Sequence, residues 1–333
     1  DSLTRSKLFK DDIILSYTGS KYGDVTIMPE NDKYHLAPNV AKVTVNENEN
    51  PYFYYLLMTS SEFQWYLKNY GVGTGQPTIP MKNIRRIPVS HPSLEVQNKI
   101  VDIIKPINEK IVQNQEINHH LLEQAISIHK EYCISKADSS FTNVTIKSLS
   151  NDVITGKTPS TKIKEYYGGE LPFITIPDMH GKVYCVETAR YLTPLGEKSQ
   201  ANKTLPANSI AVSCIATPGL VSFLDRASQT NQQINTVLPQ ENQEYYMYLE
   251  LLSKSQLIDE LGSSGSTTHN LNKGQFEKIT IIAPPVESRI KLNNLLKPLF
   301  EKIRLNQREI IRLQQIRDIL LPKLMSGEIS VID

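Results

Sequence analysis

Pro92-Ser-Leu-Glu95-Val-Gln-Asn-Lys99, followed by Ile103-Ile-Lys-Pro-Ile-Asn-Glu-Lys-Ile-Val-Gln-Asn-Gln115, has a second version 192 positions later in the same chain. That version reads Pro284-Pro-Val-Glu287-Ser-Arg-Ile-Lys291, then Leu295-Leu-Lys-Pro-Leu-Phe-Glu-Lys-Ile-Arg-Leu-Asn-Gln307. The correspondence runs without a gap over about fifty residues, long enough to be a duplicated structural element. Only two copies exist, separated by about 150 residues of different character, which excludes a solenoid. The chain therefore reads as module, long element, module, long element.

The long elements read as helices. Apolar or seam positions step by four and three through Ile103, Ile107, Ile111, Asn114, Asn118, Leu121, Ala125 and Ile128. The second copy steps through Leu295, Leu299, Ile303, Asn306, Ile310, Leu313, Arg317 and Leu320. This heptad-like pattern predicts helices lying side by side. Pro92 and Pro284 suit helix entrances, Glu95 and Glu287 suit first turns, and Pro322 with Gly327 mark the second helix's end. Pro106 and Pro298 sit inside the pattern and predict a kink or a restart. Asn114 and Asn306 occupy equivalent seam positions. They read either as a buried polar pair that fixes register or as solvent-facing residues beside a slightly shifted seam.

Composition sets the class. A chain of 333 residues, 39% hydrophobic and 21% charged, is long enough for two or more domains with cores of their own. Cys133, Cys185 and Cys214 are too few and too scattered for a disulfide framework, so a reducing cytoplasm is expected. No apolar run approaches a membrane span, and no signal-peptide pattern opens the chain. The start at Asp1 reads as a fragment or a processed chain. A net charge of +1 argues against a polycationic binder and leaves room for a locally basic surface.

Between the helices, residues 138–283 carry turn residues and short apolar strands: Leu171 to Ile176, Ser209 to Ser213 and Lys278 to Ile282, with one helix expected near Tyr245 to Leu261. The first 90 residues match the later part of this module. Asp12-Ile-Ile-Leu-Ser16 parallels Ser209-Ile-Ala-Val-Ser213, and Pro51-Tyr-Phe-Tyr-Tyr-Leu56 parallels Glu244-Tyr-Tyr-Met-Tyr-Leu249. Gly73-Thr-Gly-Gln-Pro-Thr-Ile79 parallels Gly265-Ser-Thr-Thr-His-Asn-Leu271. Nothing in the first 90 residues matches Val144 to about Gly196, so the first module is expected to lack its opening ~50 residues.

With this order in view, the chain resembles the specificity (S) subunit of type I restriction-modification systems over essentially its whole length. Gly156-Lys-Thr-Pro-Ser160 resembles that family's Gly-x-Thr-Pro-Ser element. Leu171-Pro-Phe-Ile-Thr-Ile-Pro-Asp-Met179 resembles the strand after it. Leu205-Pro-Ala-Asn-Ser-Ile210 and Ile319-Leu-Leu-Pro-Lys-Leu-Met-Ser-Gly327 also fit. Each element alone is unspecific; their order and duplication carry the resemblance.

The resemblance implies an α+β fold with a pseudo-two-fold internal repeat. Two mixed α/β target recognition domains, residues 1–90 (N-terminally short) and 138–283, would alternate with spacer helices, residues 91–137 and 284–333, that form an antiparallel coiled coil. Each domain would read one half of a split site in double-stranded DNA. The helices would dock two methyltransferase subunits, with restriction subunits joining the larger complex. S-adenosylmethionine, ATP and magnesium would belong to those partners, and this chain would have no cofactor. A helix of about 30 residues spans about 45 Å, more than the ~34 Å of one DNA turn, which suits a spacer.

Candidate DNA contacts are polar residues on the module loops. Lys157, Thr158, Ser160, Lys162, Lys164, Tyr166 and Tyr167 form a basic, hydroxyl-rich, aromatic stretch suited to phosphates and base edges. The alternative is a solvated loop with core tyrosines. Thr74 and Gln76 in one copy, and Thr267, Thr268, His269 and Asn270 in the other, lie on equivalent loops. Gln76 and Asn270 suit adenine, and Lys82 and Lys273 follow closely. These loops read equally as turns that recur because the fold recurs. Arg85 and Arg86 read as phosphate clamps or as a strand end.

Enzyme signatures fail one by one. Gly156-Lys157-Thr158 lacks the glycine a phosphate loop needs at Asn151, and the Gly71-Val-Gly73 start of a dinucleotide fingerprint has Gln76 at its third glycine. Pro177-Asp178 is followed by Glu187-Thr-Ala189 with no lysine two residues after the acid. Neither a nucleophile elbow nor an Asn-Pro-Pro-Tyr methyltransferase motif occurs. His119, His120 and His129 are expected to be solvated helix residues without a Cys or carboxylate at ligand spacing, so no metal site is expected. The reading is a non-catalytic DNA-specificity subunit. The rival is a coiled-coil scaffold with protein-binding modules, which predicts no salt-dependent affinity for DNA.

Overall fold

The computed structural model describes residues 6–72, 78–135, 137–263 and 270–331. Its contacts divide the chain into two compact units, residues 1–111 with 312–333 and residues 112–311. The boundary falls inside both long helices.

The first unit opens with β1 (Ile13–Ser16), β2 (Val25–Ile27) and β3 (Val40–Val43), an antiparallel sheet in the order β2-β1-β3. Three helices follow: α1 (Pro51–Thr59), α2 (Ser61–Tyr70) and α3 (Met81–Ile84). Asn50 starts α1 because its side chain accepts hydrogen bonds from the Tyr52 and Phe53 amides, while Pro51 fills a position whose amide would be unpaired anyway. Phe53, Leu56 and Leu57 then face Ile13 and Leu15 in the core. Ile100, Val101 and Ile104 of α4 (Leu94–Lys130) join that core, as do Leu321 and Leu324 near the chain's other end. Gln97, fully buried on α4, accepts a hydrogen bond from the Asn50 amide at 2.9 Å.

After α4 a π turn covers Glu131–Ser135. The second unit then runs β4 (Thr142–Thr145), β5 (Ser150–Thr155), β6 (Tyr167–Ile174), α5 (Ile176–Met179), β7 (Tyr184–Cys185), β8 (Tyr191–Leu192) and α6 (Pro194–Lys198). It continues with β9 (Ile210–Ser213), β10 (Val221–Leu224), β11 (Gln229–Thr230), β12 (Ile234–Pro239), α7 (Glu244–Ser253), α8 (Ser255–Ser263), α9 (Lys273–Glu277) and β13 (Thr280–Ala283), ahead of α10 (Val286–Ser326). The main sheet has the order β5-β12-β9-β10-β7, beside a smaller β11-β6-β8 sheet. β13 pairs antiparallel with β4, so the first and last strands of the module tie its ends together.

The duplication is visible strand by strand. Leu15 pairs with Val25 and Ala41, and its counterpart Val212 pairs with Val221 and Asn235. The order β2-β1-β3 thus repeats as β10-β9-β12, followed in each unit by three helices and then, after β13 in the second unit, a long one. β5 and β7, which extend the second sheet, come from the segment that has no sequence match in residues 1–90, and among the described residues no strand lies outside β3 or β2.

Three expectations change. Neither Pro106 nor Pro298 breaks its helix, which spans 37 residues in α4 and 41 in α10. Both prolines are exposed, so the amide hydrogen bond each removes lies on the solvent side of its helix. The helix expected over Tyr245 to Leu261 is two helices, divided at Lys254, where the Ser255 hydroxyl turns to the Gly219 carbonyl. The seam follows the expected positions from Ile111 and Ile303 onward, but before the prolines it shifts by one: Ile104 and Leu296 are fully buried, whereas Ile103 and Leu295 are 41% and 48% exposed. There the inward positions of the helices are taken up by the module cores.

Within the second unit the helices run antiparallel. Asn114 Nδ2 donates to Glu309 Oε2 and Asn306 Nδ2 donates to Asn118 Oδ1, both at 2.9 Å, so rising numbers on α4 meet falling numbers on α10. Both Asn114 and Asn306 are buried, and each bonds across the seam to a residue other than its equivalent. In the first unit, Arg317 Nη1 donates to Asn108 Oδ1 at 3.2 Å with the same sense.

Candidate nucleic-acid interface

The Gly156-to-Ser160 loop leaves β5 at a point where only glycine fits. A β-carbon on Gly156 would run into the carbonyl oxygens of Thr230 and Asn231. The close approach lets the Gly156 amide donate to Ile234 O and the Lys157 amide to Thr230 O, both at 3.0 Å. The loop is thereby fastened to β11 and β12. Its side chains divide into pins and free ends. Thr158 donates its hydroxyl hydrogen to Gln232 Oε1 at 2.5 Å, and Tyr167 donates to Pro159 O at 2.8 Å. Burial pushes the Tyr167 phenol up, with Arg190 opposing it, so the group remains a neutral donor. Tyr166 is half-buried, and its carbonyl accepts from the Thr193 amide. Lys157, Ser160, Lys162 and Lys164 are exposed, and the three ammonium groups have no ion-pair partner among the described residues.

Beside this loop lies a groove of about 530 Å³ lined by Thr161, Tyr167, Gly168, Gly169, Ala189, Arg190 and Tyr191. Pairing of β6 with β8 builds it by bringing Tyr191 opposite Pro172. Arg226 sits over the Tyr191 ring at 5.9 Å from its centroid, and both Arg190 and Arg226 are exposed. Arg190, Tyr191 and Arg226 were not among the sequence candidates. Arg190 and Tyr191 are neighbours but Arg226 is remote in sequence, and the small β11-β6-β8 sheet gathers them. Together with the loop they make a cationic, aromatic and hydroxyl-rich surface, suited to phosphate contacts and base stacking.

The other candidates stand elsewhere. Lys82 lies exposed on α3, followed by exposed Arg85 and Arg86. Lys273 starts α9 and pairs with Glu277 at 3.6 Å, one helical turn away. Asn270 is exposed; its amide donates to Gly262 O at 2.9 Å, and it bridges to Ile215 much as Thr78 bridges to Thr18 in the first unit. Thr74, Gln76, Thr267, Thr268 and His269 lie outside the described residues.

Asp178, the nuclease-like acid, is buried and structural: it accepts from the Thr175 amide and hydroxyl and from the Ala189 amide. His119 and His120 are exposed, as expected, but a carboxylate does stand at helical spacing: Glu123 lies 3.3 and 3.4 Å from them. His129 differs. It is buried against Glu250, with Nε2 and Oε1 2.9 Å apart, and Cys133 completes a compact trio. The His129-x-x-x-Cys133 spacing is one helical turn, which is ligand spacing, and it was the signal available in the sequence. Burial, then the Glu250 carboxylate, pushes the Cys133 thiol up to about 12.

Comparison with known proteins agrees with this architecture. The family model described as Type I restriction modification DNA specificity domain matches residues 4–123 and 138–315. The type I restriction enzyme HindI specificity subunit of Haemophilus influenzae is 31% identical over 399 aligned residues, covering 93% of this chain and 87% of that protein. The MjaIX specificity subunit of Methanocaldococcus jannaschii is 27% identical over 305 residues, covering 84% and 69%. Among solved structures, the type I restriction-modification S subunit from M. genitalium superposes with a TM-score of 0.64 at 14% identity, across 96% of this chain and 84% of that one. At that identity the likeness is one of fold.

Proposed function

This chain belongs to the type I restriction-modification DNA specificity family, and from that premise we propose that it selects a split sequence in double-stranded DNA and holds the subunits that act on it. It is a non-catalytic specificity subunit. In this reading residues 1–90 and 138–283 are the target recognition domains. Residues 91–137 and 284–333 are the spacer helices that dock two methyltransferase subunits, with restriction subunits recruited through the complex. S-adenosylmethionine, ATP and magnesium are then bound by those partners.

The observation that supports the split site is the internal repeat: the same three strands in the same order and pairing, then three helices and a long helix, twice in one chain, with β13 added before the second long helix. A chain that carries the same plan twice is suited to two similar half-sites and two copies of one partner. The exposed lysines of the Gly156 loop and the Arg190–Tyr191–Arg226 groove supply the DNA-facing chemistry in the second module. No helix among the described residues is long and apolar enough to cross a membrane.

The test is co-expression with the cognate methyltransferase subunit, followed by mapping of methylated bases across the host genome. A motif of two short specified blocks around an unspecified gap is expected. A continuous motif would overturn the two-reader assignment, and the absence of any methylation dependent on this chain would overturn the docking assignment.

A further inference from the structure

We propose that His129 Nε2, Cys133 Sγ and Glu250 Oε1 form a zinc site at the end of α4, with its fourth coordination position facing a cavity. The three donor atoms all lie within 4.8 Å of one another, and all three residues are buried. His129 comes from the last turn of α4, Cys133 from the π turn that continues it and Glu250 from α7, so the constellation is fixed by packed backbone. Cys133 stands in the π turn Glu131–Ser135, a departure from regular helix often found at functional sites.

The distances suit a tetrahedral ion. Zinc bonds of about 2.0–2.2 Å to nitrogen and oxygen and about 2.3 Å to sulfur place the ligand atoms about 3.3–3.8 Å apart. The His129–Glu250 separation of 2.9 Å is that of a hydrogen bond, so about half an ångström of opening admits the ion. A mixed sulfur, nitrogen and oxygen set favours zinc over magnesium or calcium, which take oxygen alone. A thiolate and a carboxylate also balance a dication, leaving no net charge in a buried place. Metal binding would hold Cys133 as the thiolate, which burial opposes in its absence.

Two further features point to a ligand. A cavity of about 720 Å³ opens directly on the trio, walled by Ile126, Leu249 and Leu252 and reaching solvent at exposed Lys130 and Ile282. It leaves room for a water as fourth ligand, the arrangement of an open zinc site. The Tyr246 hydroxyl is buried beside Glu250 and Cys133, makes no hydrogen bond of ordinary geometry among the described residues, and has its ring 6.1 Å from that of His129. A metal-bound water would be its partner. Zinc here would clamp the end of α4 to α7.

The test uses the full chain, stripped of metal and titrated with zinc against a chromophoric chelator, and with cobalt as a spectroscopic substitute. One equivalent should bind, and the cobalt form should show tetrahedral ligand-field bands with a thiolate charge-transfer band. Cys133→Ser should abolish the charge-transfer band, whereas Cys185→Ser and Cys214→Ser should keep it. His129→Gln and Glu250→Gln should weaken zinc binding by more than the ~10–100-fold that loss of a supporting contact costs. Zinc should also raise the thermal unfolding midpoint of the unmodified protein, a readout that needs no variant to fold. Failure of the folded chain to bind zinc stoichiometrically, an unfolding midpoint unaffected by zinc, or a charge-transfer band that survives Cys133→Ser would each overturn the site.

Discussion

Replacing Lys157, Lys162 and Lys164 together by alanine isolates the electrostatic part of DNA binding. All three are exposed and lack ion-pair partners among the described residues, so their loss should leave stability within about 0.5 kcal/mol. Each phosphate contact steepens the dependence of log K on log salt by about 0.9, so three contacts account for about 2.7. Between 50 and 200 mM salt, a fourfold change, the unmodified protein should therefore lose about 40-fold more affinity than the variant. Fluorescence anisotropy on a labelled random-sequence duplex, repeated across that salt range, measures the slope. The matching lysine-to-arginine triple keeps the charges and should keep the slope. If the alanine triple is folded and its slope is unchanged, the Gly156 loop does not touch phosphates, and the DNA face of the second module lies elsewhere.

Phe300 is fully buried, stacked on Tyr245 at 5.0 Å and edge-on to Tyr248 at 5.3 Å, so Phe300→Ala should cost about 3–5 kcal/mol, whereas Leu305→Ala, at a site 59% exposed, should cost little; urea unfolding followed by tyrosine near-ultraviolet dichroism compares them. Gly156→Ala forces a methyl group onto two carbonyl oxygens, so it should lower the unfolding midpoint and detach the loop from β11, read as faster amide exchange at Lys157. Burial raises the Asp12 carboxyl, but the Phe9 amide, the Thr44 hydroxyl and Lys42 together hold it below the usual carboxylate value. A lowered folded pKa contributes stability above the unfolded value of about 3.9, lost as pH falls through the folded one. The destabilisation by Asp12→Asn should accordingly be full at pH 6 and shrink below pH 4; a pH-independent difference would show that the charge is not what matters.

What the sequence revealed depended on whether a signal was local. The repeat gave the strand equivalence of Leu15 and Val212 because the backbone plan survives as spacing even where side chains differ. The seam shift before the prolines escapes periodicity for an equally local reason. Ile103 and Ile104, like Leu295 and Leu296, are adjacent apolar residues, so periodicity alone does not choose which faces inward; the module cores choose, and they are assembled from distant segments. The break at Lys254 also lies outside local propensity, since the Ser255 hydroxyl is drawn to Gly219, 36 positions away.

The site residues show the same division more sharply. Gly156 was legible as a motif, and its reason, the approach of Thr230 and Asn231, is tertiary. Arg190, Tyr191 and Arg226 carry no pattern until β8 and β11 flank β6, and Glu250 meets His129 across 121 positions. The two copies differ where such contacts differ. Phe300 enters an aromatic core, whereas its counterpart Asn108 donates to the Tyr52 hydroxyl at 3.2 Å. Likewise Asn293 accepts from the Tyr245 amide at 2.7 Å to hold the start of α7, a task that Gln97, four residues out of register with it, performs at the start of α1. Duplication preserved the demand, that a long helix must dock on the amino end of a module helix, and left each copy to meet it with a different side chain. Equivalence by offset therefore transfers backbone between the modules but not contacts, and DNA-facing residues found in one should not be carried to the other by adding 192.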